Sequence, residues 1–213
     1  MDTGIRTVYE VRKAVGDSMD AMVDLNQGWR MAGDHIRPLD VAEVKHIIQQ
    51  LYDLNVLWLE EPLPGSDVKG LQNLRASTMI RIAGGEMART LDDLTRFMEN
   101  DALDVYQPDV VLAAGMYRVR LVAELALSHN HWFSPHTWTN GLGLLAYLHV
   151  ACGVGGGPYI EFPYDPPTWT IERRDFFLEN PIWIDSEGFV KVPDEPGLGA
   201  IINESRLFRW EEL

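Results

Sequence analysis

The sequence predicts an α/β fold with a parallel sheet and, within that class, a (β/α) TIM-type barrel of about six units. Three observations predict it. Six short runs rich in β-branched or aromatic residues each end in polar residues; longer segments of helical periodicity separate them; and no run leads into the glycine fingerprint of a nucleotide-binding turn. Strand and helix in alternation mean crossover connections, and without a nucleotide turn the closed barrel is favoured over an open doubly wound sheet.

Taken in order, RTVYEVRKAVGD reads as an opening helix and AMVDLN as the first strand. In DVAEVKHIIQQLYDLN, Val41, Val44, Ile47, Ile48 and Leu51 fall on one helical face, with Asp40 placed as N-cap. VLWLEEP and MIRIAGGE are the second and third strands, and Thr90 is placed to cap the helix LDDLTRFMEN. LDVYQPDV, the helical MYRVRLVAELALSHN, HWFSPHTW, the helical LGLLAYLHVAC and PYIEFPYD complete the alternation. Gly84 and Gly85 stand before Glu86 at a strand end, and Gly153 to Gly157 close a helix, so neither group is a phosphate loop. A complete barrel takes about 250 residues. Residues 1–164 are therefore expected to form a partial barrel, and the Pro- and Gly-rich residues 165–213 a tail packed on it, with one short helix around Arg173 to Glu179.

Composition narrows the function classes. A hydrophobic content of 46% with seven Trp, seven Tyr and seven Phe supplies a sizeable core, and the net charge of −14 disfavours nucleic acid and anionic membrane partners. Cys152 is the only cysteine, which excludes an internal disulfide framework and a cysteine-based zinc site. It sits on an apolar helix and is expected to be buried. No stretch reaches the roughly 18 apolar residues of a membrane span, and the opening has no apolar core like that of a signal peptide, so a cytoplasmic protein is expected.

The polar residues that close the strands are Asp24 with Asn26, Glu60 with Glu61, Glu86, Asp109, His136 and Glu161. In a barrel the C-terminal strand ends meet at one mouth, so residues far apart in sequence become neighbours. Asp24, Glu60 and Glu86 offer hard oxygen ligands without sulfur or paired histidines, a set that suits Mg²⁺. Asn26 faces the same side as Asp24 if the strand continues, to orient a ligand or substrate, whereas Glu61 is expected to face the other way. Asp109 and His136, on successive strands, are placed for a carboxylate to hold an imidazole as general base. Glu161 is placed to act as a protonated electrophile or as a hydrogen-bond partner of a substrate oxygen, and Trp138 to touch substrate. The other histidines, His35, His46, His129, His131 and His149, lack metal-ligand spacing and are given no role.

The strings MVDLNQGW, WLEEPL, AGGE, YQPDV, SPHTW and EFPYD, in this order and spacing over nearly the whole chain, resemble the barrel of the mandelate racemase and muconate lactonizing enzyme family in the enolase superfamily. The resemblance implies that Asp24, Glu60 and Glu86 are magnesium ligands, that Asp109 and His136 form the catalytic dyad, and that Glu161 is the last active-site carboxylate. It implies abstraction of the proton α to a substrate carboxylate through an enediolate intermediate, in an acid-sugar dehydratase, cycloisomerase or racemase. SPHTWTNGLG and EFPYDPP are more similar to cycloisomerases of sugar-acid lactones and anhydrosugar acids than to mandelate racemase.

Two family features are not in this sequence: a Lys-x-Lys pair on the preceding strand and an N-terminal capping domain. Lys13 and Lys45 lie in helical patterns and do not replace the pair. The chain is thus expected to be a piece of a longer product or a truncated relative with impaired activity, and its open barrel either to associate across the gap into a homo-oligomer or to be poorly soluble when expressed alone. The reading from a different class is a non-catalytic barrel remnant that serves as a binding or assembly module. An unrelated metal-dependent aldolase barrel would need an arginine at a strand end, and none is found.

Overall fold

A computed structural model of the chain describes residues 3–30, 33–113 and 115–207. The apolar runs form five strands, β1 (Ala21–Asp24), β2 (Val56–Glu60), β3 (Arg81–Gly84), β4 (Val105–Tyr106) and β5 (Trp132–Phe133). They pair in parallel in the order β1-β2-β3-β4-β5. Helices α1 (Thr3–Val15), α2 (Val41–Leu51), α3 (Val68–Ser77), α4 (Leu91–Glu99), α5 (Gly115–Ser128) and α6 (Gly141–Val154) alternate with them. The sixth run does not join the ladder. Its residues pass beside β5, where the Gly157 N–H donates to the Phe133 carbonyl at 2.7 Å and the Ser134 hydroxyl to the Tyr159 carbonyl at 3.1 Å. Gly156 makes this approach possible, because a Cβ there would run into the Phe133 carbonyl oxygen.

The sheet curls. Beyond β5, the Tyr159 hydroxyl donates to Asp20 just ahead of β1, so the two ends of the sheet approach each other as in a barrel with a gap in its wall. Parallel register sets Asp24 beside Glu60, Glu60 beside Ala83, Ala83 beside Val105 and Val105 beside Trp132. All strands therefore end toward one rim. Leu59 and Ile82 pack against the helices in a cluster with Val44, Ile48, Leu51 and Leu74, each such side chain contributing about 1.5–3 kcal/mol. Trp58, Ala83 and Val105 form a smaller cluster of their own. Strand alternation puts Glu60 on the face of Trp58, whose indole N–H reaches it at 3.3 Å.

The expected caps are present. Asp40 accepts from the N–H groups of Ala42 and Glu43 while the Glu43 side chain returns to the Asp40 N–H; Thr90 and Asp93 make the same reciprocal arrangement. Val44, Ile48 and Leu51 are buried, with Val41 and Ile47 packed beside them. Cys152 departs from expectation and is exposed, because it lies past Val150, where the buried run of α6 ends. No helix among the described residues is long and apolar enough to cross a membrane.

After Asp165 the chain holds two short helices, α7 (Ile171–Arg174) and α8 (Glu204–Leu207). The turn expected around Arg173 to Glu179 starts earlier because Thr170 caps it, and it stops where Asp175 turns back to pair with Arg174. Leu178 and Ile182 share a core cluster with Leu144, Leu145 and Tyr147 of α6. Residues 208–213 of the expected tail lie outside the described residues.

Beneath the sheet, His131 is buried against Tyr106 with Asp101 at 3.8 Å, and burial, aided by the Arg75 charge, holds its pKa below the usual value. A depressed histidine pKa contributes stability above its unfolded value of 6.5, which is lost as pH falls through the folded value. His131→Gln is expected to soften the acid-side decline in stability below pH 6.5. Urea unfolding of both proteins across that range measures it, and parallel curves would refute the assignment.

Candidate active site

Each strand end delivers its side chain by a local device. Asp24 closes β1, and the chain then turns instead of continuing: Asn26 adopts φ 50° and its N–H donates to Asp24 Oδ1 at 2.8 Å. Asn26 thus reaches the side of Asp24 through a turn, not by strand alternation. Glu60 closes β2. Gly85, at φ 114°, makes the tight turn that carries Glu86 past the end of β3; a side chain there would also press on Leu94. Asp109, two residues past Gln107, accepts from the N–H groups of Val111 and Leu112 at 2.7 Å each. His136 follows β5 by three residues.

Asp24, Asn26, Trp29, Glu60, Glu86, His136, Trp138 and Glu161 line one cavity of about 380 Å³. Asp109 stands behind it, fully buried, with Oδ2 at 2.9 Å from His136 Nδ1. That contact leaves Nε2 for the cavity, where Glu86 Oε2 lies 3.5 Å away. Glu161 is held by its N–H, which donates to the Tyr147 hydroxyl at 2.6 Å, and by its carboxylate, which accepts from the Thr137 N–H.

The electrostatics follow from burying acids together. Burial raises Glu60 to about 8 against a hydrogen bond from Gln107, with Asp24, Glu161 and Glu86 adding repulsion. Burial likewise raises Asp24 to about 6 and Glu161 to about 7. Burial by itself lowers a histidine, yet the Asp109 hydrogen bond and the charges of Glu161 and Glu86 carry His136 up to about 9. Burial would raise Asp109, but its bonds from His136, Leu112 and Val111 outweigh that and hold it low.

Glu61, expected to face the other way from Glu60, is not among the residues that line the cavity. At φ 39° it is buried beneath Gly28, its Oε2 has no hydrogen-bond partner among the described residues, and burial together with Glu86 and Asp24 raises it to about 8. Trp29 and Gln107 were not singled out from sequence. Gln107 directly follows β4, so the strand-end rule applies to it. Trp29, whose indole N–H donates to Glu86 Oε1, carries no comparable signal.

The donor chemistry fits a hard divalent cation, since four carboxylates line the cavity and, among the described residues, no lysine or arginine does. Among the described residues, however, no three His, Cys, Asp or Glu side chains stand close enough to hold an ion. Asp24, Glu60 and Glu86 share the cavity without converging on a point, with Glu86 engaged by Trp29 and facing His136.

The model of the enolase C-terminal domain-like family matches residues 1–206. The chain is 27% identical to the D-galactarolactone cycloisomerase of Agrobacterium fabrum over 97% of its length and 53% of that protein. It is 28% identical to the L-talarate/galactarate dehydratase of Salmonella typhimurium, covering 98% of the chain and 46% of that protein. A solved racemase from Streptomyces coelicolor A3(2) with bound magnesium superposes with a TM-score of 0.79 at 26% identity, over 97% of the chain and 50% of that structure. The chain spans about half the length of the curated relatives it matches.

Asp109→Ala is expected to remove two backbone anchors and the imidazole partner at once, at a cost of about 1–3 kcal/mol. Amide hydrogen exchange should accelerate at Val111 and Leu112 while β1 to β3 remain protected. Unchanged exchange at both amides would contradict the anchoring.

Proposed function

The chain belongs to the mandelate racemase/muconate lactonizing enzyme family of the enolase superfamily, and on that premise we propose that it carries the machinery for removing or returning the proton α to the carboxylate of a sugar acid. The observation that carries this reading is a single cavity that gathers the ends of successive strands around His136, with Asp109 fixed behind the imidazole.

Asp24, Glu60 and Glu86 are the proposed holders of Mg²⁺, supported by their oxygen chemistry, their shared cavity and the magnesium bound in a structural relative; as they stand they do not converge on one ion, so binding would have to draw the three carboxylates together. Bound there, the cation would supply positive charge to offset the negative charge that builds on the substrate carboxylate as the α-proton leaves. With Nδ1 committed to Asp109, any proton that His136 gives or takes moves at Nε2. Glu161, buried among other acids and fixed by the Thr137 N–H, is the proposed hydrogen-bond partner of a substrate oxygen. Asn26 and Trp138 are the proposed substrate contacts, the indole offering a flat apolar face to the carbon chain. The substrate class is a hydroxylated carboxylic acid, and the named relatives act as a lactone cycloisomerase and a sugar-acid dehydratase.

Incubation with Mg²⁺ and a panel of aldonates, aldarates and their lactones in D₂O tests the reading by NMR of the α-proton. Exchange or turnover on some member is expected, falling about 10²–10⁴-fold in His136→Asn. Retention of every α-proton by the unaltered chain would overturn it. Calorimetric titration with Mg²⁺ is expected to show binding that weakens roughly 10-fold or more in Glu60→Gln; equal affinity would remove Glu60 from the ligand set.

A further inference from the structure

Among the described residues, Arg174 is the largest side chain with under 2% exposure, and it lies in a segment rich in proline and glycine, where a charged residue ordinarily faces water. Its surroundings are complete. Nε and Nη2 donate to the two oxygens of Asp175 at 2.8 and 2.7 Å, and Nη2 also donates to the Ile182 carbonyl at 2.7 Å. Nη1 donates to the Pro163 carbonyl at 3.2 Å, and the guanidinium plane lies 4.2 Å from the ring centre of Phe162. Asp175 in turn accepts from the Ile182 N–H at 2.7 Å and packs against Gly141, where a Cβ would come within 2.5 Å of its Oδ1.

Burying an ion pair is a poor way to gain stability, since well-packed apolar residues of similar volume often do as well or better. What a guanidinium offers beyond an apolar side chain is direction: several donors in one rigid plane. Here Asp175 and the Ile182 carbonyl take two of the nitrogens, while Nη1 reaches the Pro163 carbonyl and the face of the plane lies on Phe162, so the fork also holds the two residues that follow Glu161. Asp175 packs on the start of α6, the helix that supplies the Tyr147 hydroxyl to the Glu161 N–H. The residues just after Glu161 are therefore clamped by Arg174, its own N–H is tied to α6, and α6 rests on the partner of Arg174.

We propose that Arg174 is a positioning residue for Glu161: its guanidinium fixes the chain at Phe162 and Pro163 so that the Glu161 carboxylate meets the Thr137 N–H at the wall of the cavity. The importance of that position for chemistry rests on the reading of the cavity as an active site, but the positioning itself does not, and it can be tested without turnover.

The Thr137 amide proton reports the contact, because a hydrogen bond to a carboxylate moves an amide proton downfield. Glu161→Gln, which removes the carboxylate charge, calibrates the upfield displacement that follows when the contact weakens. Arg174→Lys keeps the charge and loses the fork; Phe162→Leu keeps the ion pair and loses the ring. Both are expected to move the Thr137 amide upfield by more than half of the calibrated displacement, with the amides of β1 to β3 in place. A purely structural clamp would lower the unfolding temperature and leave the Thr137 amide where it is, and that result overturns the proposal. If Arg174→Lys does not fold, Phe162→Leu decides alone by the same criterion. An inactive protein in which the amide responds would fault the functional reading and leave the positioning intact.

Discussion

Parallel register is the constraint on which everything else depends. Because Asp24 pairs beside Glu60 and the later strands follow in step, their C-terminal ends must open on the same rim. Side chains separated by more than a hundred residues then compete for one small volume out of water. The cost is electrostatic, and it is visible in Asp24, Glu60 and Glu161, all raised by burial first, with the charge of Glu86 adding repulsion at each. A fold gathers like charges in this way against its own stability, so the arrangement reads as a site and not as packing.

The rest of the architecture limits the consequences of that crowding. His136 brings one counter-charge, fixed by an aspartate that is itself held by two backbone N–H groups. The Gly85 turn and the left-handed residues Asn26 and Glu61 stand immediately around the carboxylates, where the backbone departs from strand geometry to aim side chains. Glu61 is buried with an oxygen, Oε2, that no group among the described residues satisfies.

Much of this was legible in the sequence because it depends on local patterns. Polar residues ending apolar runs marked the rim, the 3.6-residue spacing marked α2 down to Val44, Ile48 and Leu51, and Asp40 and Thr90 announced their caps. What escaped depends on partners distant in the chain. Strand alternation carried Asn26 to the right side for the wrong reason, since it assumes a strand that ends at Asp24. The run before Glu161 has strand composition, yet pairing needs a neighbour in register, and the described residues give it only isolated bonds to β5 and the loop that follows. Trp29 acquires its place from a carboxylate on another strand, and Arg174 from a fold in the tail that no periodicity signals.

The contact between Tyr159 and Asp20 joins positions 139 residues apart. Drawing the ends of so long a loop together costs about 4 kcal/mol of chain entropy in a simple polymer treatment, before any bond rewards it. Local helices and neighbouring βα pairs carry no such cost and can assemble early, whereas curling the sheet must wait for the polypeptide through Tyr159. The cavity would then be among the last features to appear during folding, and intermediates could possess most of the native helices while lacking any place for a substrate.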